Sequence, residues 1–210
     1  MKIKICGISA ASDADLALSE GADLLGFVFL QGPRRADPRL VREIVRRLPT
    51  GIEAVGLFRN QPLAEVRSIL GESGVTIAQL NGSEPPEFAS ALGVRVIKTF
   101  STFSKRSLEE LSRYDAFASL AEPARVSGAR GSVDPDWAVC AKKFGRVLIS
   151  APAGPEAIHD MIHRVRPWGV DAGTSTDTSP GVKDAGRIRA LVAAVRAADL
   201  DTQKIRVTVR

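Results

Sequence analysis

Eight short apolar runs, each followed by an amphipathic segment, limit how this chain can fold more than any other feature. The runs are Lys2–Cys6, Leu24–Phe29, Ala54–Phe58, Ile77–Leu80, Val94–Phe100, Ala116–Leu120, Val147–Ile149 and Gly169–Ala172. None alternates cleanly between apolar and polar residues. A continuous apolar run suits a parallel strand buried on both faces, since neither face meets water. The segments between them carry helix signals. Ser12-Asp13 is expected to cap a first helix that ends at Gly21, and Asp37-Pro38 opens a second. In the second, Leu40, Val41, Ile44, Val45 and Leu48 recur at helical spacing. Pro62 and Pro85-Pro86 open a third and fourth. Leu108–Leu111, Asp136–Phe144, Pro155–Arg166 and Ala185–Ala198 supply four more.

Strand and helix in strict alternation with short links predict an α/β fold on a parallel sheet. An open doubly wound sheet usually has fewer strands and often opens on a glycine-rich turn. The first turn here, Cys6-Gly7-Ile8-Ser9, lacks that pattern. Eight units in 210 residues predict a single closed (β/α)8 TIM barrel over 1–210, near the lower size limit of about 200 residues for that fold. Residues 121–137 break the rhythm, being polar and rich in Gly and Pro. They follow the sixth strand, where barrel loops build the active face, and are expected to form a lid or a surface loop. The tail, Gln203–Arg210, reads either as a packed extension or as disordered.

The net charge is +5, but the basic residues are scattered over helical segments (Arg42, Arg46, Arg47; Arg187, Arg189, Arg196), and aromatics make up only 5% of the chain. That argues against nucleic acid and for a small anionic substrate, possibly phosphorylated. Cys6 and Cys140 fit no metal spacing and are expected as free thiols in a reducing compartment. His159 and His163, four apart on a helix, make half a metal site with no third ligand in view, so no metal and no cofactor is expected. The N-terminus opens into a strand and no apolar run reaches membrane length, so a cytoplasmic protein is expected. Monomer and homodimer are both compatible with the sequence.

A set of motifs in register is more specific. Lys4-Ile5-Cys6-Gly7-Ile8 is followed by Gly21-Ala22-Asp23, Leu25-Gly26-Phe27-Val28-Phe29 and Pro33-Arg34. Val55-Gly56-Leu57-Phe58, Ala78-Gln79-Leu80 and Val96-Ile97-Lys98 come next. Val165-Arg166-Pro167-Trp168-Gly169-Val170-Asp171 and Ser179-Pro180-Gly181-Val182-Lys183-Asp184 close the series. In order and spacing these resemble phosphoribosylanthranilate isomerase of tryptophan biosynthesis over nearly the whole chain.

The resemblance implies an Amadori rearrangement of an aminoaldose phosphate to an aminoketose. An acid opens the ribose ring and a base takes the C2 proton. It assigns the base to Cys6 and the acid to an Asp ending the sixth strand, a place where Leu120 stands when Asp115–Leu120 is taken as that strand. Glu122, two residues on, would face the same way if the strand continued, as a displaced acid. Arg34 and Asp171 keep their places as substrate contacts. The phosphate loops differ. Ala151-Pro152-Ala153 replaces a Gly-Gly pair, and Pro152 has no N–H to offer. Gly173-Thr174-Ser175 replaces Ser-Ser-Gly, and Gly128-Ala129-Arg130-Gly131 replaces Gly-Gly-Thr-Gly, with Arg130 a new candidate anion contact. Gln79-Leu80-Asn81-Gly82 stands for Gln-Leu-His-Gly. Three functions follow as alternatives: an active isomerase using Glu122 or water as acid, an enzyme whose altered site has impaired activity or a related small substrate, or a silent barrel serving as a binding or structural partner.

Overall fold

In the computed structural model, eight parallel strands hydrogen-bond into a ring. They are β1 (Lys2–Cys6), β2 (Leu24–Val28), β3 (Glu53–Phe58), β4 (Ile77–Leu80), β5 (Arg95–Phe100), β6 (Ala118–Ala121), β7 (Arg146–Ser150) and β8 (Gly169–Ala172). The order around the ring is β1-β8-β7-β6-β5-β4-β3-β2, a closed barrel. Helices α1 (Ala11–Ser19), α2 (Pro38–Arg46), α3 (Leu63–Ser73), α4 (Pro86–Ala91), α5 (Lys105–Leu111), α6 (Pro135–Ala141), α7 (Pro155–Val165) and α8 (Ala185–Thr208) follow the strands in turn. The structure describes residues 1–123, 125–126 and 129–208, without the side chains of 125, 126, 129, 130 and 204–208.

The period of two along each strand divides the apolar residues between two cores. Ile3, Ile5, Phe27, Ala78, Val96, Ala121, Ile149 and Val170 face outward into the layer beneath the helices. Leu24, Val55, Ile77, Ile97, Ala118, Leu120 and Leu148 face inward and fill the lower barrel. Below them the ring of Phe117 meets Trp168 edge-on at 5.5 Å, with the Arg146 guanidinium 4.6 Å from the Phe117 centroid. The end of the barrel at the strand N-termini is thus plugged. The residues one inward step higher, Cys6, Val28 and Leu57, begin the open end.

Local signals explain most helix starts. The Asp37 carboxylate accepts from the N–H groups of Arg39 and Leu40, with Pro38 in the first turn. The Asp134 side chain caps α6 in the same way. The fifth helix starts earlier than its apolar residues suggested, because Ser104 and Ser107 form a reciprocal capping box. The expected cap of α1 is corrected. Ala10 occupies that position without a side-chain bond, and Ser12 and Asp13 lie inside the first turn. The last helix continues past Ala198 through Thr208, so the tail begins as helix. The sixth strand starts and ends later than its expected bounds. Beyond its last residue the Glu122 N–H donates to Phe100 O at 3.0 Å and carries the ladder one residue further. Among the described residues no helix is long and apolar enough to cross a membrane.

Because Leu148 is fully buried in the lower barrel, Leu148→Ala is expected to destabilise the fold by about 2–5 kcal/mol. Leu40→Ala, on an exposed helix face, should stay within about 0.5 kcal/mol. Equilibrium urea unfolding of both variants checks the contrast.

Candidate active site

At the strand C-termini a cavity of about 810 Å³ opens, with Cys6, Arg34, Asn81, Glu122, Asp171 and Gly173 among its lining residues. Its floor is an ion pair. The Lys4 ammonium on β1 meets Asp171 Oδ1 on β8 at 2.6 Å, with side chains 0% and 7% exposed. Burial is the largest single influence and works to lower the Lys4 pKa, but charge attraction and hydrogen bonding from Asp171 and Cys6 together outweigh it and hold the lysine above its ordinary value.

Cys6 stands one inward step above Lys4. A Cβ on Gly26 would lie 2.9 Å from Cys6 Sγ and 3.0 Å from Lys4 Nζ, so only glycine leaves room for thiol and ammonium together. Burial pushes the Cys6 thiol up. Lys4 and Lys183 pull it down, while Asp171 and Glu122 add to the rise, and the net direction is upward. Two nearby cations therefore do not make Cys6 a ready thiolate.

The loop after β8 is folded around Lys183, whose buried ammonium donates to Cys6 O at 2.6 Å, Thr176 Oγ1 at 3.0 Å and Asp177 Oδ1 at 2.5 Å. Gly173 and Thr174 line the cavity, Thr174 opening a single 3-10 turn that ends at Thr176. Ser175 is exposed and is not among the described lining residues. The two arginines at the β2 turn separate clearly. Arg34 is half-buried, with its guanidinium over Gly7 and Gly173, while Arg35 is exposed and donates to Gln31.

The opposite wall belongs to β4, β5 and β6. Asn81 N–H donates to Phe58 O, and its side-chain oxygen accepts from Thr99 Oγ1 at 2.7 Å and Gln79 Nε2 at 2.8 Å. Its Nδ2 donates to Glu122 Oε2 at 3.3 Å. The ladder pairs Leu120 with Leu148 and Ala121 with Ile149. Glu122 therefore stands level with Ser150, which pairs with Asp171. Leu120 lies a full inward step lower, in the apolar layer. From β1 to β6 the ring passes through β8 and β7, so Cys6 and Glu122 face each other across the mouth.

Residues 3–194 match the family model for N-(5′-phosphoribosyl)anthranilate (PRA) isomerase. The N-(5′-phosphoribosyl)anthranilate isomerase of Geotalea daltonii is 36% identical over 195 residues, covering 91% of this chain and 94% of that protein. The phosphoribosyl anthranilate isomerase structure from Thermus thermophilus aligns with a TM-score of 0.83 at 36% identity, over 94% of this chain and 99% of that one. Another isomerase of the same name, solved in complex with reduced 1-(o-carboxyphenylamino)-1-deoxyribulose 5-phosphate, aligns with a TM-score of 0.82 at 26% identity, again over 94% and 99%. The chain belongs to the N-(5′-phosphoribosyl)anthranilate isomerase family. It is an isomerase barrel of the tryptophan-biosynthesis type.

Of the residues singled out by sequence, the structure brings Cys6, Arg34, Glu122, Asp171, Gly173 and Thr174 to one cavity and leaves Ser175 at its exposed edge. The Arg130 side chain and Gly128 lie outside the described residues, as does part of the expected lid. Its described start, Glu122 and Pro123, lines the cavity. His159 and His163 stack with ring centroids 4.3 Å apart on α7. Among the described residues no group of three or more His, Cys, Asp or Glu is placed to hold a metal. Sequence reasoning missed Lys4, Lys183 and the Asn81–Thr99 pair. The signal for Lys4 was present, a lysine in phase with Cys6 in an otherwise apolar strand.

Two outcomes follow. Lys4→Met should lower unfolding free energy by about 3–5 kcal/mol, since it leaves the Asp171 carboxylate buried without its cation; thermal or urea unfolding reads this. In iodoacetamide labelling followed by mass spectrometry, half-buried Cys140 should react before Cys6. The Cys6 rate should still climb with pH above about 9.5, where an ordinary thiol of pKa about 8.5 has nearly levelled off. Equal rates would contradict the burial argument.

Proposed function

We propose that this protein is an Amadori-type isomerase acting on phosphoribosylanthranilate or a close relative, with Cys6 as base and Glu122 as acid. The observation that carries the reading is the open cavity in which the Cys6 thiol and the Glu122 carboxylate stand on opposing strands at the mouth. Glu122 is carried there by the continued β6 ladder. On this reading the acid is not lost at Leu120. It is supplied by the residue that ends the inward row of β6. A solved relative holds a reduced product-like ligand with a carboxyphenylamino group and a 5-phosphate, which is the chemistry this cavity would accept.

In the forward direction Glu122 donates its proton to the ribose ring oxygen as the C1–O bond breaks, with the lone pair of the aryl nitrogen forming C1=N. Cys6, in the small thiolate fraction that its raised pKa leaves, then takes the C2 proton, and the enolamine that results tautomerises to the C2 ketone. Arg34, half-buried over Gly7 with no hydrogen-bond or ion-pair partner among the described residues, offers its two-pronged donor face to the anthranilate carboxylate. The phosphate belongs at the loops after β7 and β8, as in barrels of this kind. There Gly173, Thr174 and the 3-10 turn keep backbone donors, whereas Pro152 removes one. Weaker phosphate grip raises KM more than it lowers kcat, because the reacting atoms lie at the other end of the cavity. The same loss is the specific feature favouring a related substrate with a smaller or different anion.

Purified protein should convert phosphoribosylanthranilate to the carboxyphenylamino ketose. Glu122→Gln and Cys6→Ala should each lower kcat roughly 10²- to 10⁴-fold, and Pro152→Gly should lower KM. Undiminished turnover in Glu122→Gln would remove the acid assignment. Absence of turnover at saturating substrate would favour a silent barrel.

A further inference from the structure

We propose that Arg59 is a specificity-determining residue, a second guanidinium that holds the substrate's aryl carboxylate from the side opposite Arg34. The inference rests on the reading of the cavity as a site for phosphoribosylanthranilate or a close relative. Alternate residues of β3 face inward. Val55 fills the lower barrel, Leu57 lies beside Cys6 and Val28 where the open end begins, and Arg59 follows two residues later among the residues lining the cavity. Arg59 is exposed at the mouth and has no hydrogen-bond or ion-pair partner among the described residues. An arginine placed in this way has its fork available to an anion. Its backbone is held firmly. Asn60, the next residue, takes a positive φ of 56°, uncommon for a residue other than glycine. The Asn60 N–H donates to Glu84 Oε1 at 2.7 Å, and its Oδ1 accepts from the Ser83 N–H at 2.7 Å. A Cβ on Gly82 would lie 2.1 Å from Asn60 Oδ1, so only glycine fits beneath this turn. Glu84 is buried, and its other oxygen accepts from Gly82 N–H at 2.9 Å and from buried Lys98 Nζ at 3.2 Å. Both oxygens of the carboxylate that fastens the turn are therefore spent, and Lys98, not Arg59, matches its charge.

The Arg34 guanidinium lies over the ends of β1 and β8. Its Nη1 is 3.5 Å from the place of a Cβ on Gly7 and 3.8 Å from that of one on Gly173. Between the two arginines stands β2, whose Val28 and Leu30 join Leu57 of β3 in an apolar patch on the cavity wall. Neighbouring strands lie about 5 Å apart. A point above β2 is thus one strand spacing from β1 and one from β3, within the length of either arginine side chain. An aryl ring resting on Val28, Leu30 and Leu57 carries its carboxylate between the two forks. The patch takes the ring and the guanidinium groups take the charge, so a neutral aryl group leaves two cations in the cavity without a counter-charge. Binding gained at this end offsets the donor that Pro152 removes at the phosphate end.

Calorimetric binding to the full-length protein tests this without turnover. Two ligands are compared: reduced 1-(o-carboxyphenylamino)-1-deoxyribulose 5-phosphate, the ligand held by a solved relative, and the same molecule without its carboxylate. Arg59→Leu should raise Kd for the carboxylated ligand roughly 10- to 100-fold and leave Kd for the carboxylate-free ligand unchanged. Arg59→Lys, which keeps the charge and loses the fork, should recover only part of that loss. Joining Arg59→Leu to Arg34→Leu should abolish the preference for the carboxylated ligand. In turnover of phosphoribosylanthranilate, Arg59→Leu should raise KM with kcat nearly unchanged, because the aryl carboxylate takes no part in the bonds that change. An unchanged Kd in Arg59→Leu, or an equal loss for both ligands, overturns the proposal while leaving the reading of the cavity intact. Wild-type protein that binds neither ligand overturns that reading, and the clamp with it.

Discussion

The buried pair of Lys4 and Asp171 is the contact on which the site is built. It joins the first strand to the last, 167 residues apart in sequence, at the seam where the barrel closes. Two opposite charges out of water do little for net stability, because desolvation offsets most of their attraction. Their value lies in geometry. Lys4 lies against the Cys6 thiol, and the whole arrangement fits only because β2 offers Gly26 at the point of closest approach. Lys183 repeats the device from the other side, bonding Cys6 O while gathering Thr176 and Asp177. The thiol is thus fixed between two buried ammonium groups, each already committed to a carboxylate. Burial is the largest influence on the thiol and outweighs the pull of both ammonium groups, with Asp171 and Glu122 adding to it, so the thiol pKa goes up.

The opposite wall uses neutral groups to the same end. Gln79, Asn81 and Thr99 form a short chain of amides and a hydroxyl that ends at Glu122. Buried ion pairs organise the wall around Cys6, and a chain of neutral polar groups reaches the Glu122 carboxylate on the other. Barrel architecture permits this division, because each strand end contributes one or two side chains to the mouth, while the apolar layer beneath is shared by all of them.

The fold was legible because its cause is local and repeated. Every strand is buried on both faces and every helix on one, so the chain carries the pattern eight times. Boundaries were less legible where a side chain acts on neighbouring backbone, as at the Ser104–Ser107 capping box. The β6 end was least legible. Ala118–Ala121 is short, and the polar residues after it read as loop, yet ladder bonding carries Glu122 into the inward row. A shift of two residues keeps the same face and changes the depth. Leu120 and Glu122 are therefore alike in direction, and one packs in the core while the other lines the cavity.

By itself the sequence determined the closed barrel and the family it belongs to, since periodicity and motif order are properties of the chain read along its length. Tertiary structure alone decided depth, partnership and charge state. Whether Lys4 is paired, whether Cys6 is a thiol or a thiolate, and which amide end faces Glu122 all depend on residues drawn from different strands. Electrostatic energies inside a protein follow distance and burial, and neither is written into sequence separation.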